Sequence, residues 1–546
     1  MKIVLNNIHH IIKRLLSGKT ISVLIVLLAI IARFFQLLFF FNIRVDRMFQ
    51  VQAMQNFTNG HGFSLATVLP NDLSATIYEP LIKWPPGYSL LVSPFYYLFN
   101  QNSLIAGFFF DMLVAIALII FSRLILKILD TPMYLINIFT LLTAFFIYHF
   151  YLISCSDAIA ITFFIMAVYF TLVLLKKNQL SAKTLVALIL SLFLSGFIKY
   201  QYIPIIFIIP AFLFLKGYCD KNASIRKAGV ISFLCLAFLF IFLFIYQKYT
   251  AGSAVYISET TRGFFPENLL SAWPANPASI IKPDTIGLVL PGKEKTIFRI
   301  FQFIHFILLG GAFILLLRHI RKARFKRLSG TDSFFYLTFF LTAGISILLM
   351  ILSLRVAKEE TFPGISWTYA EEPRYYGLIN ILLQIAVFQL YQYYRQKHSK
   401  FIRYLFISLI VLMLPETFRG IIFSARRVIN INKEEYSWQY DRSIQQYADA
   451  IIQKEKTKNP DETKIVTGAS YYIYNRVSIY SHLPVLRDVK EINNLALMNT
   501  KKPVLLLIIL QENDLLNYQP FLSSKEKELA GYFRGFYFYT THVNPH

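Results

Sequence analysis

The apolar residues of this chain are gathered into unbroken runs, among them 21–41, 104–121, 159–175, 230–246 and 333–352, each near the ~20 residues that cross ~30 Å of hydrocarbon as a helix. Inside a bilayer no water is present to bond an exposed N–H or C=O, so each run must satisfy its own backbone and fold as a helix. Composition agrees: 56% of the 546 residues are hydrophobic and 15% charged, far from the balance of a soluble domain. The first run follows Lys13 and Arg14. It is too long for a signal-peptide core and lacks a small-residue cleavage site, so it is expected to stay as an anchor.

The net charge of +24 would suggest nucleic acid in a soluble protein, but here the cations crowd the short gaps between apolar runs. That distribution sets topology and argues against a nucleic-acid partner. The densest cluster is Arg318, Arg321, Lys322, Arg324, Lys326 and Arg327, with a second at Arg395, Lys397, Lys400 and Arg403. Cys155, Cys219 and Cys235 lie in or beside apolar runs without metal-ligand spacing, which predicts neither a disulfide nor a zinc site.

With the amino terminus taken as cytoplasmic, the runs predict about eleven spans, near 20–41, 104–126, 132–153, 157–175, 184–199, 203–216, 229–248, 299–318, 333–354, 375–394 and 402–422. Alternation then puts Lys176, Lys177, Lys183, Lys216, Lys221, Arg226, Lys227 and both basic clusters inside, as the positive-inside bias requires. Arg426 and Arg427 do not fit this map. The apolar stretch 87–99 is short for a span and is read as interfacial or re-entrant. The expected organisation is a transmembrane domain over 1–425, with a first external loop at 42–88, and a small α/β extracytoplasmic domain over 426–546. In the latter, 438–454 has helical spacing, 464–469 reads as a short strand, and 503–510 suits a buried parallel strand.

Three polar stretches share the external face on this map: 42–88, 251–298 and 355–374. The first opens with Arg44-Val45-Asp46-Arg47, and apolar residues at 48, 49, 51, 54 and 57 predict an amphipathic helix along the interface. Asp46 stands at its start, where a helix cap is the simple alternative to chemistry. The loop passes Gly60-His61-Gly62-Phe63, with His61 read as a loop residue, and returns through Glu79 and Lys83-Trp84-Pro85-Pro86-Gly87-Tyr88. Proline holds the backbone there, and Lys83 is either a headgroup anchor or a functional cation.

An Asp just after the first span, a stretch ending in Gly-x-Gly-Phe, and Lys-Trp-Pro-Pro-Gly-Tyr where the chain returns to the membrane resemble the first loop of GT-C glycosyltransferases, in their protein mannosyltransferase and aminoarabinose transferase branches. Ser154-Cys155-Ser156-Asp157, Phe197-Ile198-Lys199-Tyr200 and Glu371-Glu372-Pro373-Arg374-Tyr375 follow in the order and sidedness of further family motifs. Lys199 departs from the family's more usual Arg-Pro. The resemblance implies a polyprenyl-phosphate sugar donor, transfer to a glycan, lipid or protein acceptor on the non-cytoplasmic side, and residence in a bacterial inner (plasma) membrane.

The residue types suit that chemistry. A carboxylate beside the acceptor can take its proton, the role expected of Asp46, and cations at membrane depth can neutralise the departing lipid phosphate, the role expected of Lys83, Lys199 and Arg374. Asp157, Glu79, Glu371 and Glu372 could hold a divalent metal, orient the base, or simply pair with those cations. No Walker A, HExxH or dinucleotide fingerprint is present. The alternatives are a transporter or flippase of lipid-linked glycans, which the absence of a hydropathy repeat disfavours, and a glycan polymerase or ligase. The map predicts that a reporter fused after residue 425 reads as extracytoplasmic and one within 318–327 as cytoplasmic. A cytoplasmic reporter active at the carboxyl terminus would overturn it.

Overall fold

The demand that backbone groups in hydrocarbon bond one another is met by a series of helices. They are α1 (Lys19–Phe40), α2 (Val45–Thr58), α3 (Gly87–Leu98), α4 (Ser103–Ile128), α5 (Met133–Phe145), α6 (Ser156–Lys177) and α7 (Ala182–Ile198). Then come α8 (Tyr200–Cys219, opening in a 3-10 turn), α9 (Ala223–Ala251), α10 (Gly330–Ser353), α11 (Gly377–Arg395), α12 (Lys400–Ile429), α13 (Ser437–Lys458) and α14 (Tyr471–Ser481). The structure is a computed structural model. It describes residues 16–40, 45–69, 71–145, 156–254, 263–268, 330–355, 358–362, 365–368, 373–395, 400–429, 437–469, 471–486, 499–523 and 527–545, with isolated positions between 300 and 318.

Among the described residues, seven helices are long and apolar enough to cross a membrane: α1, α4, α6, α8, α9, α10 and α12. The shorter apolar helices α5, α7 and α11 fall on three further expected spans. Most of the expected span 299–318 and of the basic cluster 318–327, together with residues 146–153, lies outside the described residues. This is an α-helical polytopic membrane protein with a small α/β domain.

Contacts divide the chain into two units. The first holds residues 1–37, 111–246 and 255–432; the second holds 38–110, 247–254 and 433–546. In the first unit α6 and α7 form a helical hairpin turned at Asn178, which takes a positive φ of 55°, and the short strands β3 (Lys358–Phe362) and β4 (Ile365–Thr368) pair antiparallel. Helices α8 and α9 approach backbone to backbone, since a Cβ at Gly229 would lie 2.5 Å from the Phe214 nitrogen. Small residues allow that approach where water supplies no hydrophobic drive.

The second unit is built on a sheet of order β5-β6-β8-β7, from β5 (Thr463–Gly468), β6 (Val504–Gln511), β7 (Lys527–Phe533) and β8 (Phe536–Val543). Strands β5 and β6 are parallel, as expected of the run at 503–510, while β8 is antiparallel to β6 and β7. Alternate residues of β6 serve different cores. Leu506 and Ile508 pack with Ile465 and Phe521, and Leu507 and Ile509 with Ile444, Ala448 and Tyr474 of α13 and α14. Burial on both faces is why β6 reads as an unbroken apolar run.

The segment after the first span belongs to this same unit. It forms the hairpin β1 (Ser64–Leu69) and β2 (Asp72–Pro80), with Ser64 opposite Pro80 and Leu65 opposite Glu79. Val68 and Leu73 join the core of the sheet, the Val68 N–H donates to Val485 O at 3.2 Å, and the Leu73 N–H donates to Asn499 O at 3.0 Å.

Helix α2 forms where the amphipathic pattern placed it, but it does not lie open on an interface. Met48, Phe49, Val51 and Met54 are buried, and so are Gln50, Gln52, Gln55 and Asn56. The polar face is covered because protein groups satisfy it. Gln52 donates to Ser478 Oγ at 3.1 Å, Gln55 to Ile479 O at 2.8 Å and Ser103 Oγ at 3.0 Å, and Asn56 to Ser64 O at 2.8 Å.

His482, directly after α14, has φ of 54°, and burial pushes its imidazole below the ordinary histidine range while Asp449 opposes that shift. A base with a depressed folded pKa loses stability as pH falls, because the unfolded chain takes up a proton that the folded one resists. The full-length protein should therefore become less heat-stable as pH drops through the ordinary histidine range. His482→Asn, which tolerates the left-handed backbone, should flatten the slope. Melting temperatures of both proteins across that pH range check it; equal slopes would refute it.

Candidate functional site

In the first unit, the α6–α7 hairpin brings the start of one helix beside the end of the next. Asp157 lies in the first turn of α6, where the positive end of the helix dipole favours an anion. Lys199 closes α7 as its C-cap, where a cation is favoured, and its backbone N–H still donates to Ser195 O at 3.2 Å. The two side chains meet: Lys199 Nζ donates to Asp157 Oδ2 at 2.9 Å, with Asp157 wholly buried and Lys199 nearly so. The same ammonium stands 5.4 Å from the centre of the Tyr375 ring. Tyr375 belongs to the short 3-10 helix Pro373–Tyr376 that leads into α11. The backbone of Arg374 therefore adjoins this cluster, while its side chain lies outside the described residues.

Around the pair are buried hydroxyls of Ser156, Ser195 and Tyr202, and the Tyr202 ring packs 6.0 Å from Phe164. A buried carboxylate and ammonium offset each other's desolvation only when held in close geometry. The two opposed helix ends supply it.

In the second unit, Asp46 is the second residue of α2, and its side chain lies outside the described residues. Its neighbour Arg47 is 2% exposed, with its guanidinium 5.5 Å from the Tyr88 ring of α3. Lys83 is exposed and lies 5.0 Å from the Trp84 ring, and Trp84 stacks on Phe49 of α2 at 5.1 Å. The indole thus fixes the Lys83 backbone against the helix that begins at Val45. Glu79 sits on β2 opposite Leu65, and His61 stacks on Tyr78 at 3.8 Å.

Of the residues expected from sequence, the structure brings Asp157 and Lys199 into contact, next to the turn that carries Arg374. Asp46, Glu79 and Lys83 share the second unit. Glu371 and Glu372 lie outside the described residues. Among the described residues, no group of three or more His, Cys, Asp or Glu is placed to hold a metal ion. Sequence reasoning passed over Arg47. The available signal was an arginine one position beyond a candidate carboxylate, in a segment otherwise rich in apolar and amide residues.

No protein-family model and no curated protein sequence matches the chain. Its class is defined by its fold, a polytopic helical membrane scaffold carrying a small α/β domain. Among solved structures that fold is found in ArnT. The crystal structure of ArnT from Cupriavidus metallidurans bound to undecaprenyl phosphate matches with a TM-score of 0.52 at 12% identity, over 95% of this chain and 97% of that one. ArnT from the same organism in the apo state matches with a TM-score of 0.50, at the same identity and coverage. At that identity the likeness is one of fold.

Removing one member of a buried ion pair costs about 3–5 kcal/mol, because the other charge stays desolvated. Lys199→Met should therefore lower the thermal stability of the purified protein strongly. The double variant Asp157→Asn with Lys199→Met should recover much of that loss. A Lys199→Met protein as stable as wild type would show the pair to be energetically idle.

Proposed function

We propose that the protein is a GT-C glycosyltransferase that moves a sugar from a polyprenyl-phosphate donor to an acceptor on the extracytoplasmic face of the membrane. One observation carries this reading: the chain shares its fold along nearly its whole length with ArnT, which has been crystallised with undecaprenyl phosphate. The first-loop residues give the reading a chemistry. The acceptor is a glycan, lipid or protein group that is a weak nucleophile until its proton is taken.

In this proposal Asp46 accepts that proton as the acceptor atom bonds to the anomeric carbon. The bond from that carbon to the phosphate oxygen breaks, and the electron pair leaves with the lipid phosphate. Lys83 and Arg374 stabilise the charge that grows there, Arg374 with a planar fork suited to phosphate oxygens. Lys199, held on Asp157 and against Tyr375, acts chiefly by positioning the turn that carries Arg374. Glu79, Glu371 and Glu372 are assigned to orienting these groups or pairing with the cations, with a divalent metal as the other use of their carboxylates.

The test is to incubate purified protein with a panel of polyprenyl-phosphate monosaccharides and measure released polyprenyl phosphate. Wild type should release it with at least one donor. Asp46→Asn should transfer about 10²-fold more slowly or worse while still folding. Lys83→Ala and Arg374→Ala should each weaken donor binding by about 1.5–3 kcal/mol, the worth of a charge-assisted hydrogen bond. Full activity in Asp46→Asn would reduce that residue to a helix cap. Unchanged donor affinity in both cation variants would remove the phosphate site.

A further inference from the structure

Within the second unit, four helices meet at one side chain. Gln55 of α2 is 5% exposed, and its amide nitrogen donates to Ile479 O of α14 at 2.8 Å and to Ser103 Oγ at the start of α4 at 3.0 Å. The Tyr96 hydroxyl of α3 shares a further hydrogen bond with the same side chain. Tyr96 and Ser103 are themselves buried. A primary amide carries two N–H donors and one carbonyl acceptor, so both donors of Gln55 are taken up by different helices. Gln52, three residues earlier on the same face, donates to Ser478 Oγ of α14 at 3.1 Å.

Such a junction fixes the register of α2. Its apolar contacts, Phe49 and Ala53 with Leu65, Leu81 and Trp84, hold the helix down by burial, which is non-directional and tolerates a slide or a small rotation. Hydrogen bonds weaken steeply with distance and angle, and a buried polar group left without its partner is costly. A slide of α2 by about 1 Å would therefore strain bonds to three helices at once. Asp46 precedes Gln55 by nine residues of the same helix, about 13 Å along its axis. A helix carries an axial shift along its length, so the bonds at Gln55 set where the backbone of Asp46 stands.

We propose that Gln55 is a positioning residue for the transfer reaction, fixing the depth and rotation of α2 and through them the place of Asp46; this rests on the reading of Asp46 as the base. Gln55 acts through the helix rather than on the substrate. Misplacing a reacting group by about 1 Å costs roughly 10²-fold in rate. The donor phosphate is assigned to Lys83 and Arg374, neither of which is on α2. The junction therefore bears on kcat rather than on the KM for the donor.

The experiment measures transfer and backbone exchange in purified full-length protein carrying Gln55→Met, which keeps the side-chain length and removes the amide. With a donor accepted in the panel above, kcat per folded molecule should fall about 10²-fold while the donor KM changes by less than about two-fold. Tyr96→Phe and Ser103→Ala, each removing one bond from the junction, should lower kcat by about three- to ten-fold at the same KM, and they carry the test if Gln55→Met does not fold. Lys501→Ala, which removes the exposed ion pair of Lys501 with Asp72 in the same unit, should change neither constant. Hydrogen–deuterium exchange reads the geometry without any donor. Amides of 45–58 should exchange faster in Gln55→Met and as in wild type in Asp46→Asn, while strands β5 to β8 keep their protection in both. Lower thermal stability with kcat per folded molecule intact across the junction variants would make Gln55 a structural residue only and overturn the proposal. So would unchanged exchange over 45–58. A wild type that transfers from no donor would instead sink the reading of Asp46, and the exchange result alone would then decide whether Gln55 fixes α2.

Discussion

A helix in hydrocarbon spends its own backbone groups on itself, so its polar side chains can act only where it ends or where it touches another helix. Everything chemical in the transmembrane unit obeys this. Asp157 opens α6, Lys199 closes α7, and Tyr375 lies in the turn before α11. Because α6 and α7 run antiparallel, one helix start and one helix end come to the same level with dipoles that favour opposite charges. The ion pair is therefore a product of topology as much as of side-chain choice. It in turn fixes a cation against the aromatic ring that follows Arg374.

The second unit solves the complementary problem, how to bury a polar helix. Helix α2 carries Gln50, Gln52, Gln55 and Asn56 on faces that would suit water, yet all are covered. Amide side chains can be buried cheaply when they find partners, and here Gln52, Gln55 and Asn56 bond to α14, to α4 and to the strand that follows. Asp46 is thereby placed at the head of a helix gripped on several sides, a firmer base than a helix afloat at an interface would provide.

Run length made the membrane helices legible, because a bilayer permits few alternatives to a helix. The strand at 503–510 was legible for a related reason, that burial on both faces erases alternation. Contacts between distant residues were not. Asp157 and Lys199 each stood out as polar groups near span ends, but they are 42 positions apart and meet only through the hairpin between them. The hairpin β7–β8 escaped notice because β7 mixes Lys527, Glu528 and Gly531 with its apolar residues, although Arg534-Gly535 and the aromatic run of β8 were turn and strand signals. The amphipathic pattern of α2 correctly predicted a helix but not its surroundings, since a polar face covered by amides and one covered by water have the same sequence.

The hairpin β1–β2 carries a consequence for how the protein is made. Thr67 Oγ1 donates to Val485 O across 418 positions of chain, and Val68 and Leu73 complete a core whose other members come from residues beyond 460. A ribosome delivers the first loop early, at a moment when the sheet that finishes it has not been synthesised. Until then β1 has an unpaired edge and α2 has open amides, and the segment bearing Asp46 and Lys83 has no fixed geometry. The last hundred or so residues thus act as a late-closing clasp, and the first loop reaches its folded geometry only in chains translated through to the final strands.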